Sequence, residues 1–148
     1  MPQIRLGVFQ DGRNIVVSSG QLLVNGEGIF HKTTPATITT AGAATYTTAQ
    51  LLGRLLLRDP NGAGRSDVTP TAALIVAAIK NCKVGTSFEF TIRNDADMAE
   101  TITVTAGTGV TLSGTMTIAQ SNSKKFLVRV TAVTTPAVTI YSLGTVVH

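Results

Sequence analysis

The sequence has one cysteine, Cys82, among 148 residues. That excludes an intrachain disulfide framework, and after an apolar run the residue reads as a small buried hydrophobe rather than a nucleophile. Histidine is nearly as scarce, with only His31 and His148, so no His/Cys metal spacing exists. His31 lies beside Lys32 with no nucleophile-elbow pattern around it, and His148, the last residue, is expected to be mobile. Tryptophan is absent and aromatics are 5% of the chain, a poor supply for a sugar-stacking face or a single-strand stacking platform. Charged residues make up 14%, well below the roughly 25% of an ordinary soluble chain. Intrinsic disorder, a coiled coil and a long-helix bundle are all excluded by this composition.

A long hydrophobic run is missing too. The stretches 33–53, 101–123 and 130–147 carry no charge, but Thr, Ser and Gly interrupt each of them. A spanning helix needs about 20 mostly apolar residues, so no membrane role is expected. The start, Met-Pro-Gln-Ile-Arg, lacks the apolar stretch and cleavage site of a signal peptide. The formal charge is +4, yet the basic residues are scattered from Arg5 to Arg129, with Lys124–Lys125 the one adjacent pair. Nucleic-acid binding concentrates such charge on one stripe, so no nucleic-acid partner is expected.

Threonine is plentiful, roughly one residue in six, and β-branched residues suit a pleated surface. From Phe88 onward the apolar period is two: Phe88, Phe90, Ile92; then Ile102, Val104; Val110, Leu112; Met116, Ile118; Phe126, Val128, Val130; and Val138, Ile140. Six short strands with turn signals between them read as an all-β sandwich or barrel. Around Ser113-Gly114 a two-residue hairpin would set apolar side chains against polar ones, because a one-residue slip flips the face. The expectation is a three-residue loop or a corner between sheets. One short helix is expected, with Thr69 as N-cap, Pro70 at its first position and Thr71 to Lys80 following. Its middle, 72–79, is apolar all round and should be covered on most sides. Thr48–Gly53 can add a second helical turn.

Two loops have the look of sites. Asp59-Pro-Asn-Gly-Ala-Gly64 fails as a phosphate loop, because Arg65-Ser66 follows at the wrong spacing. It also fails as a calcium loop, because its fifth and twelfth positions are Ala63 and Pro70. It reads as a tight surface turn. Asn94–Glu100 gathers Asp95, Asp97 and Glu100 in one loop, and such clusters can hold a hard cation, but without a sharp-turn glycine the favoured reading is a solvated hairpin tip. No metal, cofactor or catalytic residue is assigned, and no enzymatic constellation passes inspection.

Several segments nevertheless resemble a known kind of protein: Thr48-Ala-Gln-Leu-Leu-Gly53, Leu57-Arg-Asp-Pro60, Pro70-Thr-Ala-Ala73, Gly85-Thr-Ser-Phe-Glu-Phe-Thr-Ile-Arg-Asn94, Ala99-Glu-Thr-Ile-Thr-Val104, Val110-Thr-Leu-Ser-Gly-Thr-Met-Thr-Ile-Ala-Gln120 and Val138-Thr-Ile-Tyr-Ser-Leu-Gly144. Together they resemble the decoration, or cement, proteins of tailed-bacteriophage heads, over about residues 45–148. The resemblance implies a jelly-roll-like antiparallel β-sandwich, a structural role without catalysis, and a homo-dimer or homo-trimer. It further implies made-in-the-host-cytoplasm subunits that bind the major capsid protein on the capsid exterior. The runner-up expectation is a receptor- or glycan-binding module of a phage head or tail fibre.

Residues 1–44 lie outside the resemblance and read as a strand-rich arm or as edge strands, with 45–148 as the sandwich domain. Turn signals at Asp11-Gly12, Ser19-Gly20 and Asn25-Gly26 cut the segment into pieces too short to build a core. Its apolar and basic side chains Ile4, Arg5, Leu6, Val8, Phe9, Arg13, Phe30 and Lys32 are therefore the candidate contacts to capsid or neighbouring subunit.

Overall fold

The computed structural model describes residues 32–148, which form one compact unit. Of the candidate contacts, Ile4, Arg5, Leu6, Val8, Phe9, Arg13 and Phe30 lie outside the described residues. Nine strands and two short helices follow in order: β1 (Ala36–Ile38), α1 (Thr48–Leu52), β2 (Leu55–Arg58), β3 (Arg65–Val68), α2 (Ala72–Ala78), β4 (Ser87–Asn94), β5 (Ile102–Thr105), β6 (Val110–Ser113), β7 (Thr117–Ile118), β8 (Asn122–Ala132) and β9 (Ala137–Val147). The fold is mostly β, as the threonine content and the period of two require. Residues 32–44 belong to it, since β1 is an edge strand of the larger sheet. This strand falls in the stretch 1–44 that the sequence leaves as an arm or as edge strands.

Six strands form one sheet in the order β1-β2-β4-β8-β9-β6, and three form another, β3-β5-β7. The expected all-antiparallel pairing is not what is found. β1–β2, β2–β4, β3–β5 and β6–β9 run parallel, whereas β4–β8, β8–β9 and β5–β7 run antiparallel. The connections explain this. Between β2 and β4 the chain leaves for the second sheet through β3 and returns over α2, the long crossover that parallel neighbours need.

The alternating residues line one face and meet in a shared core of Phe90, Ile92, Ile102, Val104, Ile118, Phe126, Val128, Val130, Val138 and Ile140, all at most 2% exposed. Phe90 and Phe126 sit directly opposite in register and stack with ring centroids 5.1 Å apart, the cross-strand aromatic pairing that stabilises a sheet beyond simple burial. Ser113-Gly114 resolves as a corner. β6 pairs with β9 in one sheet and β7 with β5 in the other, with Gly114 turning at φ +94° between them.

Both helices depart in detail from expectation. Helix α1 starts at a capping box in which Thr47 accepts from the Gln50 N–H and Gln50 accepts from the Thr47 N–H. The N-cap of α2 is Thr71, not Thr69. The Thr69 hydroxyl is already committed, accepting the Gly107 N–H at 2.9 Å, so Thr71 takes over by accepting from the Leu74 N–H. Nor is α2 covered on most sides, because only Ala72 and Ile75 are buried and Leu74 is 59% exposed.

Candidate functional site

The first cluster that stands out was not legible as a site in the sequence. Arg58, Asp67 and Tyr46 are 0%, 0% and 1% exposed. Strand β2 turns Leu56 and Arg58 inward, and β3 in the second sheet presents Asp67 to meet it. The Arg58 Nε donates to Asp67 Oδ2 at 2.8 Å. Its other nitrogens donate to the carbonyls of Thr40, Gly42 and Asp59. Asp67 also accepts from the Tyr46 hydroxyl at 2.8 Å and the Ala44 N–H at 2.7 Å. Burial, and then the neighbouring Asp67 carboxylate, push the Tyr46 phenol well above its ordinary range. All three side chains are closed to solvent. The cluster fastens the two sheets together at one end.

A serine, a histidine and an aspartate also come together at the C-terminus. His148 is not loose: its N–H donates to the Ser121 carbonyl, and its Nδ1 lies 3.2 Å from Ser123 Oγ. The other ring nitrogen accepts from the Arg93 Nε at 3.0 Å, while Asp95 stands 3.9 Å from it. The ring nitrogen facing away from Ser123 is thus met by the Arg93 guanidinium, where a hydrolytic triad places a carboxylate.

Among the described residues, one open feature is the face of the six-stranded sheet turned away from the core. Register sets Leu55, Thr91 and Lys125 in one rung, Leu57, Arg93 and Ser123 in the next, and Leu127 beside Tyr141 in a third. Shallow grooves of about 270 and 320 Å³ flank Lys125. One is lined by Thr33, Arg54, Leu55 and Glu89, the other by Ser123, Leu143, Thr145 and Val146. The charges on this face are partly paired, Lys125 with Glu89 at 3.1 Å and Arg93 with Asp95.

This face runs into an open strand edge. β6 pairs with β9 only as far as Tyr141, so among the described residues Ser142–Val147 has a strand partner on one side alone, β8. Here Leu143, Val146 and Val147 are 49%, 68% and 75% exposed. An apolar edge of this kind is a template for another chain, and clustered exposed apolar surface marks an interaction site. Comparison with family models, curated proteins and solved structures gave no match. The surface must therefore be read from its own chemistry.

The sequence-derived candidates fare unevenly against this geometry. Lys32 is described and exposed, the only one of its set that can be placed. Cys82 is half-buried and packs against the core. The turn at 59–64 is indeed tight, with Asn61 and Gly62 at positive φ and the Asn61 N–H donating to Asp59 Oδ1. The loop 95–101 is not a uniformly solvated tip, because Glu100 is 5% exposed. No signal pointed to the β9 edge, because Leu143, Val146 and Val147 look like ordinary strand residues until it is known that, among the described residues, they pair on one side alone.

Proposed function

We propose that this chain is a structural protein of the phage virion, one that binds the capsid exterior between major capsid subunits and stabilises the head. The observation that carries the proposal is the exposed apolar β9 edge, continuous with a sheet face whose charges are partly paired. On a chain with only 14% charged residues, such a surface is tolerable if each copy works permanently bound. The resemblance over residues 45–148 supplies the capsid as the partner and a jelly-roll-like sandwich as the finer fold. Two sheets over one core are compatible with that fold, and the four parallel pairings are its departure from a strictly antiparallel roll. The mechanism is linkage: a protein that binds only the assembled lattice stabilises it by mass action. A structural rather than catalytic role follows from the same reading, as does a homo-dimer or homo-trimer that covers sheet edges.

Heads lacking the protein are expected to lose DNA on mild heating, and adding the purified chain should restore heat tolerance. Unchanged heat tolerance without it would overturn the proposal. Copy number gives a second readout, since a cement protein is present in hundreds per particle and a fibre tip in tens at most (both order-of-magnitude figures). The lower count would favour the receptor-binding alternative.

A further inference from the structure

We propose that Asp59, Asp97 and Glu100 form a binding site for a hard divalent cation, calcium by preference. Neither of the two loops makes such a site alone. They meet because β2 and β4 are parallel neighbours with Arg58 opposite Asn94 in register. Asp59 and the 95–101 loop therefore leave the same end of the sheet side by side, joined by the Asp95 N–H donating to the Arg58 carbonyl at 2.8 Å. Carboxylate oxygens of Asp59, Asp97 and Glu100 then lie within 4.8 Å of one another. Asp95, which sequence grouped with this loop's acids, instead pairs with Arg93.

Glu100 is the second, independent observation. It is 5% exposed, and neither carboxylate oxygen has a hydrogen-bond partner. Its placement is fixed by the backbone: the Glu100 carbonyl accepts from Asn94 Nδ2 at 2.9 Å, and fully buried Asn94 also donates to Ile118 and accepts from the Ala96 N–H. The side chain is thus held toward two other acids with no donor to meet it. A buried carboxylate left this way is costly unless positive charge compensates it. Arg58, next in sequence to Asp59, is spent on Asp67 and three carbonyls. A divalent ion gives all three carboxylates a common partner. Hard oxygen ligands select calcium or magnesium. Asp97 is exposed and Asp59 half-buried, leaving room for waters to complete the six to eight ligands calcium takes, where magnesium would demand a near-ideal octahedron. Bound there, the ion clamps the loop after β2 to the loop after β4.

The test uses the full chain stripped with EGTA and then titrated with calcium chloride or magnesium chloride. Calorimetry should give one calcium per chain with weaker magnesium binding. At about 100 times Kd, calcium should raise Tm by roughly 5–10 °C. Glu100→Gln should abolish the calcium-dependent rise. Asp97→Asn, at an exposed position that cannot upset folding, should weaken calcium binding at least tenfold, while Asp95→Asn should leave it unchanged. A stripped chain whose Tm ignores calcium, or an Asp97→Asn variant that binds it as tightly as the parent, would overturn the site.

Discussion

Removing the Arg58 guanidinium tests whether the enclosed ion pair holds the two sheets together. In Arg58→Met, Asp67 keeps the Tyr46 hydroxyl and the Ala44 N–H but loses the cation that neutralised it at 0% exposure. The carbonyls of Thr40, Gly42 and Asp59 lose their donor as well. Breaking one side of a buried pair costs about 3–5 kcal/mol, a large share of the roughly 5–15 kcal/mol that keeps a domain folded. With a urea m-value of about 1–3 kcal/mol/M, the unfolding midpoint should fall by at least about 1 M, followed by far-UV circular dichroism because the chain has no tryptophan. The conservative Arg58→Lys should recover only part of the loss, since one ammonium cannot reproduce a fork that reaches Asp67 and three carbonyls. Asp67→Asn should also destabilise, and the double variant should fall short of the two losses added by at least about 1 kcal/mol, as coupled partners do. An Arg58→Met unfolding free energy within about 1 kcal/mol of the parent, or strict additivity, would refute the reasoning.

Three further outcomes follow from other parts of the molecule. Because the folded Tyr46 pKa is raised above its unfolded value of 10.0, its contribution is full below pH 10 and declines above it. Tyr46→Phe should therefore flatten the alkaline loss of stability by up to about 1.4 kcal/mol per pH unit, read from urea midpoints at pH 9, 10 and 11; parallel curves would contradict this. A Cβ on Gly107 would lie 2.5 Å from the Thr69 carbonyl oxygen and 2.7 Å from that of Pro70, so Gly107→Ala should cost about 1–3 kcal/mol, against a near-neutral Gly42→Ala, whose Cβ meets nothing within 4 Å; equal Tm values for the two would be the contrary result. Replacing Val146 by Asp should leave Tm within about 2 °C of the parent, since the side chain is 68% exposed, yet abolish binding to capsids in a co-sedimentation assay; retained binding would remove the β9 edge from the interface.

The parts of this molecule that sequence made legible are those where one strand's own pattern decides the outcome. Phe90 and Ile92, or Val128 and Val130, alternate with polar neighbours, and each pair is buried as the period requires. The corner after Ser113 was legible for the same reason, because the wrong face would have been turned inward. Every threonine in the chain lies at or beyond Thr33, while the described unit begins at Lys32. The expected division at 44/45 rests on the extent of the resemblance alone, with no change of residue pattern behind it.

What stayed hidden depends on partners distant in sequence. Arg58 ends an apolar run and looks like a charge stepping into solvent. It is buried because Asp67 arrives from the other sheet, and no local pattern encodes that meeting. Helix α2 shows the reverse error, in which an apolar surround predicts cover although Leu74 stands 59% exposed. Glu100 combines both difficulties. Counted along its own loop it is one acid among three with weak spacing, and counted from Asp59 the calcium-loop pattern fails at its fifth and twelfth positions. Only the parallel pairing of β2 with β4 brings the two loops to one end of the sheet, and that pairing is set by a crossover through a second sheet and a helix. A ligand set drawn from two loops leaves no spacing rule in either, so the signal that identifies it is a carboxylate buried without a donor, a property of packing that sequence does not carry.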